Sequence, residues 1–516
     1  MEARVGRLVT VLVGTLFLAV GVIALVAPRS PFTVYRQPVV VVATTALLLL
    51  GLLWRPPALV RRWCAWRWAA LVVAVLGLVT GLVTGHSLRL PYSWDVRIVL
   101  QVAARLHAGT ELTRYQQGYM GRYPNNKAMV ALDRGAYAVS DLSGWRVDVI
   151  LVTVAALGVA VTVWTVHRMV LPVAGPVRAV GAQLATVLLV AASPWVAIPY
   201  SDVLALPFLS GGLLLAMAAM RRRHDWWALL LAVAAGSCIA VAAVIKTIPY
   251  VVAVALLVTG LLAALGARAD GREAMRWLAG TLAAVVALGV TALGVTAACA
   301  VALSDVPHTR ATSQPLLWWV ANGMTTTKSP GLPARYGGFN HALGSAIAGK
   351  TPEEASDWSA EYIRTQVGRR GLDGTARFYV AKAAWNWGDG MFWAWGEGQD
   401  ARPDRLPPGD GLVGLVRDVD RPNGRWYAVR SDLTQAVWLA LVVVGGLGAV
   451  ATRRPRLEVV LVALTVLGLT VFTLLFQGRS RYLFTFVPVI VSLVAMVHPA
   501  ISARALSGLR GRGTGR

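Results

Sequence analysis

"WWALLLAVAAGSCIAVAAVIKTIPYVVAVALLVTGLLAALG", Trp226–Gly266, carries one charged side chain, Lys246. A helix needs about 20 apolar residues to cross a bilayer, so this run is too long for one span and too short for three. It reads as two transmembrane helices joined by a hairpin near "IKTIPY". The turn puts Lys246 at a membrane rim, away from the bilayer centre, where a lysine costs about 2.5–3.5 kcal/mol or more. Working outward, apolar runs of spanning length give about twelve helices, near 8–27, 38–54, 68–85, 146–166, 179–198, 203–220, 226–245, 248–266, 277–303, 433–451, 457–476 and 481–499. The expected fold class is an all-α integral membrane protein with about 12 transmembrane helices, interfacial helices and a large extracytoplasmic loop.

The 516 residues are 56% hydrophobic and 14% charged, which fits a polytopic membrane chain. The net charge of +24 does not point to nucleic acid, because the arginines fall in short clusters between apolar runs. Arg55, Arg61, Arg62 and Arg67, Arg168 and Arg178, Arg221–Arg223, Arg268–Arg276, Arg453–Arg456 and the tail after Ser502 share one side if both termini are cytoplasmic. Scarce lysine with abundant Ala, Val, Gly and Leu points to a GC-rich genome of the actinomycete kind. Cys64, Cys238 and Cys299 lie far apart, so no disulfide framework or thiolate metal site is expected. The basic start "MEARVGRLVTVLVGTLFLAV" lacks a small-residue cleavage site and reads as an uncleaved first helix.

Five regions follow. Residues 1–85 hold three spans, and 86–145 form a first extracytoplasmic loop with interfacial helices. Residues 146–303 form a transmembrane core, 304–431 a large extracytoplasmic loop, and 432–516 three spans with a basic cytoplasmic tail. In the first loop "DVRIVLQVAARLHAG" puts Val99, Val102, Ala103 and Leu106 on one face and Arg97, Gln101 and Arg105 on another, with Gly109 as a C-terminal cap. That is an interfacial helix. A second is expected from after "RYPNN" to about Asp141. Asp95, at the head of the first helix in "PYSWDVRIVL", therefore stands at the outer membrane surface. There it can act as a helix cap or as a base for a hydroxyl arriving in water.

A span, an outer-face aspartate opening an amphipathic helix, a second helix in the same loop, a large late loop and "RSRY" before the last helix resemble the GT-C glycosyltransferases. Those polytopic enzymes include the protein O-mannosyltransferases and aminoarabinose transferases. "GYMGRYPNNKAM" and "WNWGDGMFWAW" are similar to segments of bacterial members of that superfamily. The chain departs in having two additional N-terminal helices and Trp94 where a second acidic residue often stands beside the aspartate. The resemblance implies sugar transfer from a polyprenyl-phosphate donor to an extracytoplasmic glycan, lipid or protein acceptor, with inversion at the sugar. Asp95 would be the catalytic base, and Arg479, Arg481 and Lys246 would hold the donor phosphate.

Sugar or acceptor contacts are expected from two stretches. "RYPNN" offers Tyr123, Asn125 and Asn126, with either asparagine able instead to cap the following helix. "KAAWNWGDGMFWAWGEG", Lys382–Gly398, offers Trp385, Trp387, Asp389 and Trp393, since aromatic faces pack on sugar C–H groups; tryptophans are also ordinary interface anchors. "RYGGFN", Arg335–Asn340, supplies a glycine-flexed turn able to close over such a groove. His107, His308 and His341 fit no zinc spacing, so no metal site is assigned. Mg²⁺ or Mn²⁺ between Asp95 and Asp202 or Asp389 stays open as a cofactor. The rival class is a transporter or lipid flippase, which would place ionisable groups within the spans rather than in the loops.

Overall fold

A computed structural model describes residues 2–498 apart from 28–29, 31–32, 54–55, 90, 223–225, 305, 307–312, 330–331, 397–406 and 408. The Arg-rich tail after Ser502, His308, Arg55, Arg223 and Glu397 lie outside the described residues. Among these, nine helices are long and apolar enough to cross a membrane: Ala3–Val26, Ala69–Ser87, Val147–Ala174, Ser201–Arg221, Trp227–Ile245, Ile248–Gly266, Gly271–Ala302, Tyr427–Ala451 and Leu457–Leu475. Three further apolar helices, Gln37–Leu52, Pro176–Ala191 and Val487–Val497, are shorter. They fall where the sequence predicts full spans, and local chemistry explains the difference for two of them. Pro176–Thr186 runs into a π-helical turn, Val187–Ala191, and Pro194 follows. The last helix begins after the polar "QGRS" turn.

The hairpin of Trp227–Ile245 and Val251–Gly266 forms as the apolar pattern predicts, with Lys246 at the turn. Helix Gly271–Ala302 lies against it because Gly236 lets the backbones approach; a methyl group there would collide with the Ala284 carbonyl. The connections fall into two rims. On one, Arg7 donates to the Thr452 carbonyl, Arg456 to the Pro172 carbonyl at 3.0 Å, and Arg221 pairs with Glu458 at 3.3 Å. On the other, Arg36 pairs with Asp432 at 2.6 Å, Arg89 with Asp148 at 2.8 Å, and Arg417 donates to the Ser87 carbonyl at 2.9 Å. Arg221 and Arg456, from two of the arginine clusters, thus lie on the rim opposite the ends of the helices that flank the first long loop.

The amphipathic helix Trp94–His107 buries Val96, Val99, Val102, Ala103 and Leu106. It ends in Gly109 at φ +65°, with Thr110 N–H on the Arg105 carbonyl and Gly109 N–H on that of Leu106, a Schellman cap. Helix Lys127–Ser143 packs beside it. Between them lies a helix the sequence reading misses, Arg114–Arg122, started by a Thr113/Gln116 capping box. Among the described residues of the large loop, one antiparallel hairpin, Thr326–Ser329 with Leu332–Tyr336, is a small departure from an all-α chain. Its longest helix, Pro352–Trp387, breaks at Gly371 (φ +63°).

Candidate functional site

Among the described residues, four non-glycine residues have positive φ, and all are aromatic: Trp94 (55°), Phe392 (51°), Trp393 (65°) and Trp395 (68°). Each such bulky residue costs on the order of 1–3 kcal/mol, and such strain clusters at functional sites. Here all four fall in "PYSWDVRIVL" and "WNWGDGMFWAW".

Asp95 is exposed and stands in the first turn of its helix, whose N-cap is Ser93. Its Oδ1 accepts from Tyr119 OH at 2.8 Å. Tyr119 in turn accepts from Asn126 Nδ2 at 2.7 Å, and Asn126 Oδ1 accepts from Tyr200 OH at 2.8 Å. Every donor in this file points toward Asp95. Burial, then the neighbouring Tyr200 and Asp95, push the Tyr119 phenol far above its ordinary pKa, so it keeps its proton and donates. Asn126 occupies the N-cap position of the next helix without capping it through its side chain, because that amide is spent in the file. The capping expectation for Asn126 is therefore corrected.

The file ends on a buried charge cluster. Tyr200 lies under the Arg481 guanidinium, 5.5 Å from its ring, and Trp195 flanks it at 5.2 Å. Arg481 donates from Nε (2.8 Å) and Nη2 (2.6 Å) to Asp202 Oδ2, while Lys246 Nζ reaches Asp202 Oδ1 at 2.5 Å. Asp202 is fully buried, and both cations are less than a tenth exposed. Two cations on one carboxylate leave one net positive charge in a place shielded from water. The three residues come from the start of Ser201–Arg221, the end of Trp227–Ile245 and the start of the one-turn helix Arg481–Phe484 that precedes the last helix. The charges therefore sit at helix ends on the loop-bearing rim, not in mid-span.

"WNWGDGMFWAW" and "QGRSRY" form one built unit. Asp389 accepts from Tyr35 OH (2.5 Å), Ser480 Oγ (2.7 Å) and the backbone N–H groups of Met391 (3.2 Å) and Trp393 (2.8 Å). It thus pins the strained loop to the residue between Arg479 and Arg481. Lys382 is fully buried and donates to the carbonyls of Gly323 (2.6 Å), Leu474 and Phe476 (both 2.7 Å). Burial pushes its pKa down to about 7, and the three carbonyls hold the ammonium form against that. Gly337, at φ +67°, packs on Lys382 and accepts through its carbonyl from Gly478 N–H at 2.9 Å. "RYGGFN" is therefore an anchored turn, not a loose flap.

The residues expected at a sugar groove are placed unequally. Trp387 packs between Phe17 and Trp438, Trp385 meets Trp393 edge-on at 5.4 Å, and Asp389 is saturated by its four donors. All three are buried. Tyr123 is half-buried, 5.0 Å from Tyr119 and 6.1 Å from Trp319 of the large loop, and Asn125 is exposed. Trp393 lies beneath two guanidiniums, Arg479 at 5.3 Å and Arg335 at 5.9 Å. Asp202 and Asp389, engaged by protein donors, do not fit as ligands for Mg²⁺ or Mn²⁺. No group of three His, Cys, Asp or Glu able to hold a metal occurs among the described residues. His107 instead meets Asp141 at 2.6 Å, and His341 packs edge-on to Phe339. An apolar cavity of about 210 Å³ beside Arg276 and Trp277 borders the arginine-rich rim and shares no residue with this site.

Sequence reasoning misses Tyr119, Tyr200, Lys382, Arg335 and Ser480. The available signal is the "PYSD" break between two apolar helices and a lone lysine amid tryptophans. The profile of a family described as conserved hypothetical integral membrane protein matches residues 17–501. No curated protein and no solved structure matches the chain significantly.

Proposed function

We propose that this chain, which belongs to that family of conserved hypothetical integral membrane proteins, is a GT-C-type glycosyltransferase. It would move a sugar from a polyprenyl-phosphate donor to a hydroxyl of an extracytoplasmic glycan, lipid or protein. The single observation that carries the reading is the directed file from Tyr200 through Asn126 and Tyr119 to Asp95. It couples an exposed carboxylate to a buried, net-positive cluster on the same rim.

In this reading Asp95 takes the proton of the acceptor hydroxyl as its oxygen bonds to the anomeric carbon. The bond from that carbon to the phosphate oxygen breaks on the opposite face, inverting the sugar, and polyprenyl phosphate leaves with the electron pair. Fixed cations stabilise that developing charge, in the roles expected of Arg479, Arg481 and Lys246. Tyr119 keeps Asp95 oriented. Arginine enrichment makes the opposite rim, with both termini, cytoplasmic, and the site extracytoplasmic; the three shorter helices complete twelve crossings. Ionisable groups at helix ends favour this enzyme over an ion-coupled transporter or flippase.

The test is transfer by the purified chain in proteoliposomes, offered labelled polyprenyl-phosphate arabinose and mannose with cell-envelope acceptor. Labelled product that depends on Asp95 is expected. Transport of the intact donor across the membrane without sugar transfer would overturn the reading.

A further inference from the structure

Four helices, Leu206–Arg221, Trp227–Ile245, Val251–Gly266 and Gly271–Ala302, pack tightly at Gly236 and Gly260, where an added methyl would strike the Ala284 carbonyl and the Thr281 side chain. From there to the arginine-rich rim they part around the apolar cavity of about 210 Å³. Its walls come from within residues 216–220, 228–235, 256–260 and 276–284, the rim-side part of each helix, and run along about 12 Å of the last one. The lining is small and apolar. A Cβ added at Gly280, which lines the cavity, would meet nothing within 4 Å, and Thr281 spends its hydroxyl on the Trp277 carbonyl at 2.8 Å. Water needs two to four polar partners to stay in such a place, and an empty apolar cavity forfeits packing. Leu229 and Ala279 line the cavity and are exposed, and Gly271–Ala302 is the least buried of the candidate spans among the described residues. The cavity therefore opens sideways onto the membrane, where hydrocarbon is the solvent. Arg276 and Trp277 line its rim end. Among the described residues the ends and turns of these four helices carry Arg221, Arg222, Arg268, Arg272 and Arg276 against Asp270 and Glu273, a surplus that complements an anion.

We propose that this cavity holds one acyl chain of an anionic phospholipid, with the head group at Arg276 and Trp277. The chain fills the space that Gly280 and the surrounding alanines leave between the helices, and the indole marks the depth of the head group. Arg276 acts through its charge, which attracts an anionic head group whatever else the guanidinium holds. The site is separate from Asp95 and stands whether or not the chain transfers sugar.

The experiment measures lipid binding to the full chain in detergent by native mass spectrometry, with the thermal midpoint as a second readout. The probes are palmitoyl-oleoyl phosphatidylglycerol and the matching phosphatidylcholine. The parent should hold one phosphatidylglycerol per chain at energies that strip other lipids, and bind it about fivefold or more tightly than phosphatidylcholine. Gly280→Phe and Ala228→Leu, which fill the cavity, should each weaken binding of both lipids about tenfold or more and abolish the rise in midpoint that phosphatidylglycerol gives the parent. Gly289→Phe adds a ring on the same helix, also where a Cβ meets open space but outside the cavity, and should change neither readout. Arg276→Gln should remove the preference for phosphatidylglycerol and leave phosphatidylcholine binding as it is. Either filling variant decides if the other fails to fold. A parent that holds no lipid, unchanged binding in a folded filling variant, or an equal loss in Gly289→Phe overturns the site. Equal affinity of the parent for the two lipids overturns the anionic head group. Lipid-free dimers that Gly280→Phe dissociates would put a second copy of the chain in the cavity and overturn the lipid.

Discussion

Asp95 and Asp202 show how two aspartates of one site divide its work. Asp95 is exposed and accepts from the Tyr119 phenol, whereas Asp202 is sealed between Lys246 and Arg481. Removing one member of a buried ion cluster leaves uncompensated charge and costs about 3–5 kcal/mol. Asp202→Asn should therefore sharply lower the thermal midpoint in detergent, while Asp95→Asn should leave it unchanged; equal losses would contradict the division. Tyr119→Phe removes a hydrogen bond that favours the carboxylate form of Asp95. A base must be deprotonated to act, so activity should then be lost at higher pH on acidification. The acid limb of the pH–activity profile is expected to move to higher pH. An unmoved limb would mean that the tyrosine does not act through Asp95.

Among elements, the strained loop around Trp393, the Gly337 turn and "QGRSRY" are locked together by two buried charged side chains, Asp389 and Lys382. Asp389→Asn weakens four hydrogen bonds and should destabilise by about 2–3 kcal/mol, against about 1 kcal/mol for Ser480→Ala. Both should weaken donor binding without touching the donor, read as a raised KM beside a lowered thermal midpoint. Gly337→Ala would strain a positive φ and drive a methyl into Lys382, whereas a methyl at Gly338 meets open space. Expression and midpoint should fall for the first and hold for the second. These locks were not legible in sequence, because Asp389 and Lys382 read as groove or surface residues until a fold supplies their partners. The amphipathic helix at Asp95 was legible, since its apolar spacing and Gly109 cap are local signals. The place of the Asn126 side chain in the file was not legible, because its tyrosine partners come from separate segments, with Tyr200 just before a helix distant in sequence.

For the whole molecule, the order of apolar runs was enough to read an integral membrane protein with connections sorted onto two rims. It overestimated the length of two helices, because hydropathy does not register the π-turn before Pro194 or the polar "QGRS" turn. The sorting makes a topological prediction. With Cys64, Cys238 and Cys299 replaced by serine, Glu111→Cys should react with a membrane-impermeant maleimide in intact cells, and Arg454→Cys should react only after permeabilisation. The reverse pattern would put the site in the cytoplasm, where the proposed acceptor is absent. The most direct measurement of the central claim is release of polyprenyl phosphate from labelled polyprenyl-phosphate sugar by the purified chain with acceptor, compared with Asp95→Asn. Loss of roughly 10²–10⁴-fold in rate with donor binding retained is predicted for a general base. Release at the parent rate by Asp95→Asn would contradict it.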